Sequence, residues 1–227
     1  MIKRTQAALA CVAMMTLGAP AHADVVTFDD VMQGIVFPGD TLASGGFNFS
    51  QLLDAGLVAE NADFSIFGNA PKGNSTQFYG VFNDGAVQMS HASRSFLLQG
   101  LDLGFVSPIG GIYNPGEQPG GLLLEGLGVD GNTYSAFASF GAADADGEFS
   151  FLSTGTGGLG ALGSRYLTSL TLTACSFDGQ GGCVTPNLNL NQFAIDNLVL
   201  AIPEPGSLAL AALALCGAGF ARRRQAR

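Results

Sequence analysis

An all-β fold, specifically a two-sheet sandwich of jelly-roll type, is predicted for the body of this 227-residue chain on three observations. Gly, Asn, Asp and Ser break the sequence at short intervals, with 33 glycines in total, so the apolar stretches between them are too short for helices of ordinary length. Within those stretches apolar and polar residues alternate with a period of two, the pattern of a strand with one buried face. Turn chemistry also falls where one such stretch gives way to the next, as at Asp130-Gly131-Asn132. Many short strands with frequent turns pack best as two facing sheets.

The elements follow in order from the amino terminus. Lys3 and Arg4, the apolar run Ala7 to Leu17 and the small-x-small triplet Ala21-His22-Ala23 make residues 1–23 a secretory signal peptide, cleaved after Ala23. Cys11 and His22 leave with it. The body, residues 24–202, opens on the strand-like Val25 to Val31. Gln51 to Ala59 is the one stretch read as a short helical turn, weakened by Gly56. Ser95 to Val106 is the longest strand, with Leu97, Leu101, Leu103 and Phe105 on one side. The apolar run Leu122 to Val129 turns through Asp130-Gly131-Asn132 into Thr133 to Phe140, where Tyr134, Ala136, Ala138 and Phe140 share a face. Gly155 to Gly160 matches GxGxxG in form, but no βαβ unit surrounds it, and it reads as a loop. Leu170, Leu172 and Ala174 line one face of a further strand, and Asn191 to Leu200 forms the last.

Charge narrows the partners. Setting both ends aside, the body holds 17 acidic residues and three basic ones, Lys72, Arg94 and Arg165, for a net charge of −14. A field of that sign repels phosphate backbones and excludes nucleic acid. Cysteine usage agrees with export: with Cys11 in the signal and Cys216 in the tail, Cys175 and Cys183 remain and are expected to pair in an oxidising compartment.

The tail, residues 203–227, carries three signals in a fixed order: Pro203-Glu204-Pro205, an apolar run from Leu208 to Ala221, and the basic cluster Arg222, Arg223, Arg224 and Arg227. The prolines keep the triplet extended. The run is rich in helix-forming Leu and Ala but, at 14 residues, is short for a comfortable bilayer span. The arginines hold its end on the cytoplasmic side, leaving everything before Pro203 across the membrane. This order resembles the PEP-CTERM sorting signal of Gram-negative bacteria. The resemblance implies cutting by an exosortase at or near the triplet, after signal peptidase has acted at the other end. It further implies a precursor held in the inner membrane by a C-terminal hydrophobic helix, then residence at the cell surface or in the extracellular matrix, in association with exopolysaccharide or biofilm.

Chemistry-bearing motifs are scarce. No GxSxG elbow, HExxH or P-loop occurs, and His91, the one histidine left in the body, is read as a packing or surface residue; no enzyme is expected. The chain has no Trp to form a sugar platform, so Tyr113, in the turn-rich stretch Ile109 to Gly121, is the best aromatic candidate for ligand binding. Asp144-Ala145-Asp146-Gly147-Glu148 hints at a calcium loop but lacks its remaining ligands and is read as an acidic turn. Asp29 and Asp30 in the first strand region and Asp196 and Asn197 in the last loosely resemble jelly-roll carbohydrate-binding modules, in several of which calcium sits between the first and last strands. That likeness implies a calcium site at these four residues. The leading expectation is a non-catalytic surface or matrix protein associated with exopolysaccharide. The alternatives are a structural or adhesive protein without sugar affinity and, more remotely, a secreted polysaccharide hydrolase.

Overall fold

The computed structural model describes residues 22–66, 68–178, 182–185 and 190–203. Most of the signal peptide, Glu204, Pro205, the hydrophobic run and the four tail arginines lie outside the described residues. Ala23–Ile202 form one compact unit.

That unit is a sandwich of two sheets. The strands are β1 (His22–Val26), β2 (Gly34–Val36), β3 (Thr41–Ser44), β4 (Phe47–Leu53), β5 (Gly56–Ala59), β6 (Phe78–Val81), β7 (Ala86–His91), β8 (Leu97–Phe105), β9 (Gly120–Gly128), β10 (Thr133–Ser139), β11 (Leu152–Gly155), β12 (Leu167–Phe177), β13 (Cys183–Val184) and β14 (Phe193–Ile202). The first sheet runs β11-β8-β14-β6-β5-β2 with β1 beside β14; the second runs β10-β9-β12-β7-β4-β3 with β13 beside β12. Neighbouring strands pair antiparallel, as between β8 and β14 and between β9 and β12. The first and last strands are therefore neighbours, and Cys175 on β12 is bonded to Cys183 on β13 as expected.

The reading of Gln51 to Ala59 as a helical turn is corrected. Its first three residues end β4, Asp54 turns the chain at φ 50°, and Gly56–Ala59 form β5. Gly56 is required there because any Cβ would collide with the ring of Tyr79. Tyr79, on the first sheet, is fully buried and donates its hydroxyl to Gln51 Oε1 on the second at 2.5 Å, joining the two layers through a polar bond inside an apolar core. Around it Phe28 meets Phe49 edge-on with centroids 5.0 Å apart, and Phe47 meets Phe96 at 5.4 Å. A smaller cluster, with Phe64 stacked on Phe78 at 4.3 Å, lies under the 3₁₀ turn Asn61–Ile66.

Strand β14 lies between β8 and β6 and is almost wholly buried. Its core-facing residues are Phe193 and Ile195, then Leu198, Leu200 and Ile202, so the parity changes from odd to even partway along. The switch lies at a bulge where the pairing with β8 slips between Asp196 and Val199 and Asn197 adopts φ 47°. A second slip follows between Val199 and Leu200, and Leu98 rather than Leu97 faces the core on β8. Strict alternation along Ser95 to Val106 misses that change. Asn tolerates the left-handed region, whereas a β-branched residue does not. Asn197→Val is accordingly expected to lower stability by about 2 kcal/mol or more, and Asn197→Gly by less, in urea unfolding of the two variants beside the parent chain.

Candidate functional site

The bulge decides where Asp196 goes. It is the last residue of β14 before the slip, pairs with Asp102 of β8, and is fully buried. Its Oδ2 accepts hydrogen bonds from Asn74 Nδ2 at 2.7 Å, Asn197 Nδ2 at 3.3 Å and Thr76 Oγ1 at 3.4 Å. Asn74 and Thr76 belong to the segment that enters β6, where Asn74 Oδ1 accepts from the Thr76 backbone N–H and hydroxyl and so holds a tight turn. The next residue, Gln77, donates its backbone N–H to Asp29 Oδ1 at 3.2 Å. The chain just after β1, the turn before β6 and the middle of β14 thus meet around carboxylates and amides.

Two oxygens in this group are shielded from solvent and receive no hydrogen bond, Asp196 Oδ1 and Gln77 Oε1. Buried acceptors are nearly always satisfied, and leaving one unpaired costs about 1–3 kcal/mol. Burial pushes the Asp196 carboxyl up to about 6, against hydrogen bonding from Asn197 and Asn74, and the charge of Asp29 raises it further. Two carboxylates and one amide carbonyl, with Asp196 Oδ1 and Gln77 Oε1 the two unpaired oxygens among them, are the all-oxygen donors that a hard divalent cation such as calcium takes. Asp29, Gln77 and Asp196 would hold it, and its charge would offset the repulsion between the carboxylates.

The other two residues of the expected set are occupied elsewhere. Asp30 accepts from the Ser44 hydroxyl at 2.5 Å and the Gly45 N–H at 2.9 Å, bonds that hold its carboxyl below the usual range. Asn197 directs its amide to Asp102 Oδ2 at 2.8 Å and shares it with Asp196. Gln77, Asn74 and Thr76 escaped the sequence reading because Asn-Ser-Thr-Gln reads as ordinary loop composition; nothing local ties it to a residue 120 positions away.

A second acidic group, Asp144, Asp146 and Glu148, offers one oxygen from each residue within 4.8 Å of one another and could hold a divalent ion. Lys72 already neutralises part of it, pairing with Asp144 at 3.0 Å and with Glu148. Asp144 also accepts from the N–H groups of Asp146 and Glu148, the hydrogen bonding of a solvated acidic turn. Tyr113 is half-buried, its ring edge-on to Phe105 at 5.7 Å and Phe149 at 4.9 Å, so it does not present an open platform. His91 Nδ1 accepts from the N–H groups of Ser93 and Arg94, and its ring packs on Phe47.

Polar side chains form a band across the outer face of the second sheet, which periodicity along one strand cannot reveal. Strand register lines up Thr41, Ser50, Gln88, Thr171, Glu125 and Ser135 across β3, β4, β7, β12, β9 and β10. Thr41 and Ser50 are joined at 2.8 Å and Gln88 donates to Thr171 at 3.4 Å, so these side chains share a face. Beside the band, Leu123 pairs with Phe137, which meets Phe177 at 5.7 Å, adding an apolar step.

The raised carboxyl of Asp196 sets a pH dependence. Its ordinary value is 3.8 and its folded value about 6, so between them the folded chain binds the proton more tightly. In chelator, this group's stabilisation is full below pH 3.8 and falls as pH rises through about 6, by up to about 3 kcal/mol. Asp196→Asn is expected to flatten that decline in urea unfolding measured from pH 4 to 7.5.

Residues 201–225 match the PEP-CTERM protein-sorting motif. A comparison with curated proteins gave no match. Among solved structures, the chain is similar to a variant of CBM29-2, a family 29 carbohydrate-binding module, at 10% identity and a TM-score of 0.31 over 75% of this chain and 91% of that one. It is similar to the C-terminal family 22 module of Clostridium thermocellum Xyn10B at 8% identity and a TM-score of 0.35, over 78% and 92% of the two chains. CtCBM11 aligns at 9% identity with a TM-score of 0.34, over 83% of this chain and 99% of the module. Scores of this size imply neither shared ligand nor shared fold. The motif begins within the last two residues of β14, and it marks this protein as one exported and processed for attachment at the cell surface or in the extracellular matrix.

Proposed function

We propose that this chain is a non-catalytic surface or matrix protein that associates with exopolysaccharide, made as a membrane-anchored precursor and cut by an exosortase near Pro203, Glu204 and Pro205. The sorting motif that begins at the end of the last strand carries this reading. The body offers what the role needs: a two-sheet sandwich, a net charge of −14 that opposes aggregation, and an outer sheet face of hydroxyl and amide groups in register. Neutral sugars are met by such groups through hydrogen bonds and by adjoining apolar surface, here Leu123 and Phe137, through their C–H faces. Calcium bound by Asp29, Gln77 and Asp196 would tie the chain after β1 to the turn before β6 and to the middle of β14.

Two measurements test this. At pH 7.4 calcium is expected to raise the melting temperature of the parent chain relative to chelator, with no rise in Asp196→Asn; ligand at a hundred times its dissociation constant stabilises by about 2.7 kcal/mol. Unchanged melting with no heat of binding removes the calcium assignment. Exopolysaccharide from the native cells is expected to co-sediment with the parent protein, less with Gln88→Ala/Thr171→Ala, and unchanged in sugar composition afterwards. Loss of binding in Tyr113→Ala alone would move the contact to the 109–121 loop. Absence of binding by the parent favours a purely structural or adhesive role, and release of sugars would indicate a hydrolase.

A further inference from the structure

A sheet is open to another chain at its edge strands, and proteins close such strands by brevity, charge, proline, bulges or a covering element. The main paths of the two sheets end on β2, β3, β10 and β11. Strands β2, β3 and β11 are three or four residues long, and β3 is flanked by Asp40 and by Asp30, whose carboxylate holds Ser44 and Gly45. Strand β10, Thr133–Ser139, is seven residues long and contains no charge, proline, glycine or bulge.

Its free backbone groups follow from its pairing with β9. The Gly128 N–H donates to the Asn132 carbonyl and the Phe140 N–H to the Gly120 carbonyl, so the even-numbered residues of β10 bond to β9. Thr133, Ser135, Phe137 and Ser139 therefore turn their N–H and C=O groups to the open side, where no described residue bonds to them. Their side chains are exposed on the outer face of the sheet, while Tyr134, Ala136 and Ala138 face the core. From Gly131 to Ala143 the chain carries no charged residue. Behind the strand, β9 and β12 contribute Glu125 alone, and at its start Asp130 accepts from the hydroxyl of Tyr134, over whose ring Arg165 lies at 5.3 Å.

We propose that β10 pairs antiparallel with β10 of a second copy of this chain, across a two-fold axis at Ala136. In the one antiparallel register that uses all four outward residues, Thr133 lies opposite Ser139 of the second copy and Ser135 opposite Phe137, each pair exchanging two hydrogen bonds. Ala136 then meets its own counterpart at a non-hydrogen-bonded position, where Cα atoms approach to about 4.5 Å and a small side chain fits. Phe137, 38% exposed, lies diagonal to its own counterpart at the roughly 7–8 Å that aromatic side chains bridge. A body carrying −14 repels its copy, which favours contact through an uncharged stretch. The two Glu125 residues are three strand spacings apart, about 14 Å, beyond the Debye length of about 8 Å. Two copies of one edge close on each other, whereas β10 against β3 of a copy would leave an edge open at each end and bring Asp30 and Asp40 to the seam. A ribbon of seven residues a side is smaller than a standard interface of about 1,600 Å², so the dimer exchanges with single chains on dilution. The paired sheets set both polar bands on one face; that a polymer meets both together rests on the exopolysaccharide reading, and the pairing itself does not.

Light scattering on the full chain in detergent, over a concentration series, is expected to show the protein mass rising from one chain to two, and further with added salt, which screens the net repulsion. Ser135→Pro removes an outward N–H and leaves the bonds to β9, so it is expected to stay at one chain with an unchanged melting temperature. Cross-linking reads the register directly. In full chains carrying Cys11→Ser and Cys216→Ser, mild oxidation is expected to join Ala136→Cys into a two-chain species severalfold more than Ala138→Cys, which lies opposite Tyr134 and out of disulfide reach of its own counterpart. Should Ser135→Pro melt lower than the parent, the cross-linking comparison decides. A one-chain mass at every concentration, a two-chain mass retained in a stably folded Ser135→Pro, or equal cross-linking at the two positions overturns the pairing. Masses beyond two chains overturn the closed dimer in favour of head-to-tail contacts.

Discussion

The bulge at Asn197 is the constraint on which the rest of this molecule depends. Strand β14 must present an apolar side chain to the core on either side of that position, and its parity changes there from Phe193 and Ile195 to Leu198, Leu200 and Ile202. A strand of strict alternation would turn one of those two sets away from the core, at roughly 1.5–3 kcal/mol for each large side chain left exposed. The left-handed backbone at Asn197 avoids that loss, and the same twist leaves Asp196 buried on the far face of the sheet beside Asn74 and Thr76. The candidate cation site is a consequence of keeping the last strand in the core.

That origin accounts for the electrostatics of the site. A carboxylate buried because its strand is buried has no escape to solvent, so its environment must stabilise the charge or the group takes up a proton. Three hydrogen bonds reach one of its oxygens and none the other, while Asp29 adds charge of the same sign. A divalent ion bound there would resolve both deficits at once. The Asp144, Asp146 and Glu148 group differs because its residues are accessible to water and Lys72 supplies a positive charge from within the chain. Of the two acidic groups, the one with fewer carboxylates has the greater need of a cation, since need follows from burial and unpaired oxygens.

Position along the chain and position in space come together at the end of β14. The sorting motif overlaps the end of the body in sequence, and the fold brings β1 beside β14, so the two ends of the body belong to neighbouring strands of one sheet.

Much of this was legible in the residues themselves. The sorting tail, the expected export signal, the strand-rich sandwich and the Cys175–Cys183 pairing depend on composition, local order and period, and short-range physics dictates those. Asp29 and Asp196 entered the expected calcium set by likeness, and the fold brings both to the segment before β6, Asp29 through the Gln77 N–H and Asp196 through Asn74. The diversion of Asp30 to Ser44, the entry of Gln77, the packing of Tyr113 between Phe105 and Phe149, and the strand at Gly56–Ala59 were not. Nor was the polar band across the second sheet. Each of these turns on which residues, tens to more than a hundred positions apart, are brought face to face. Register and bulges make that choice when the two sheets close on one core, and a single chain read in order carries no record of it.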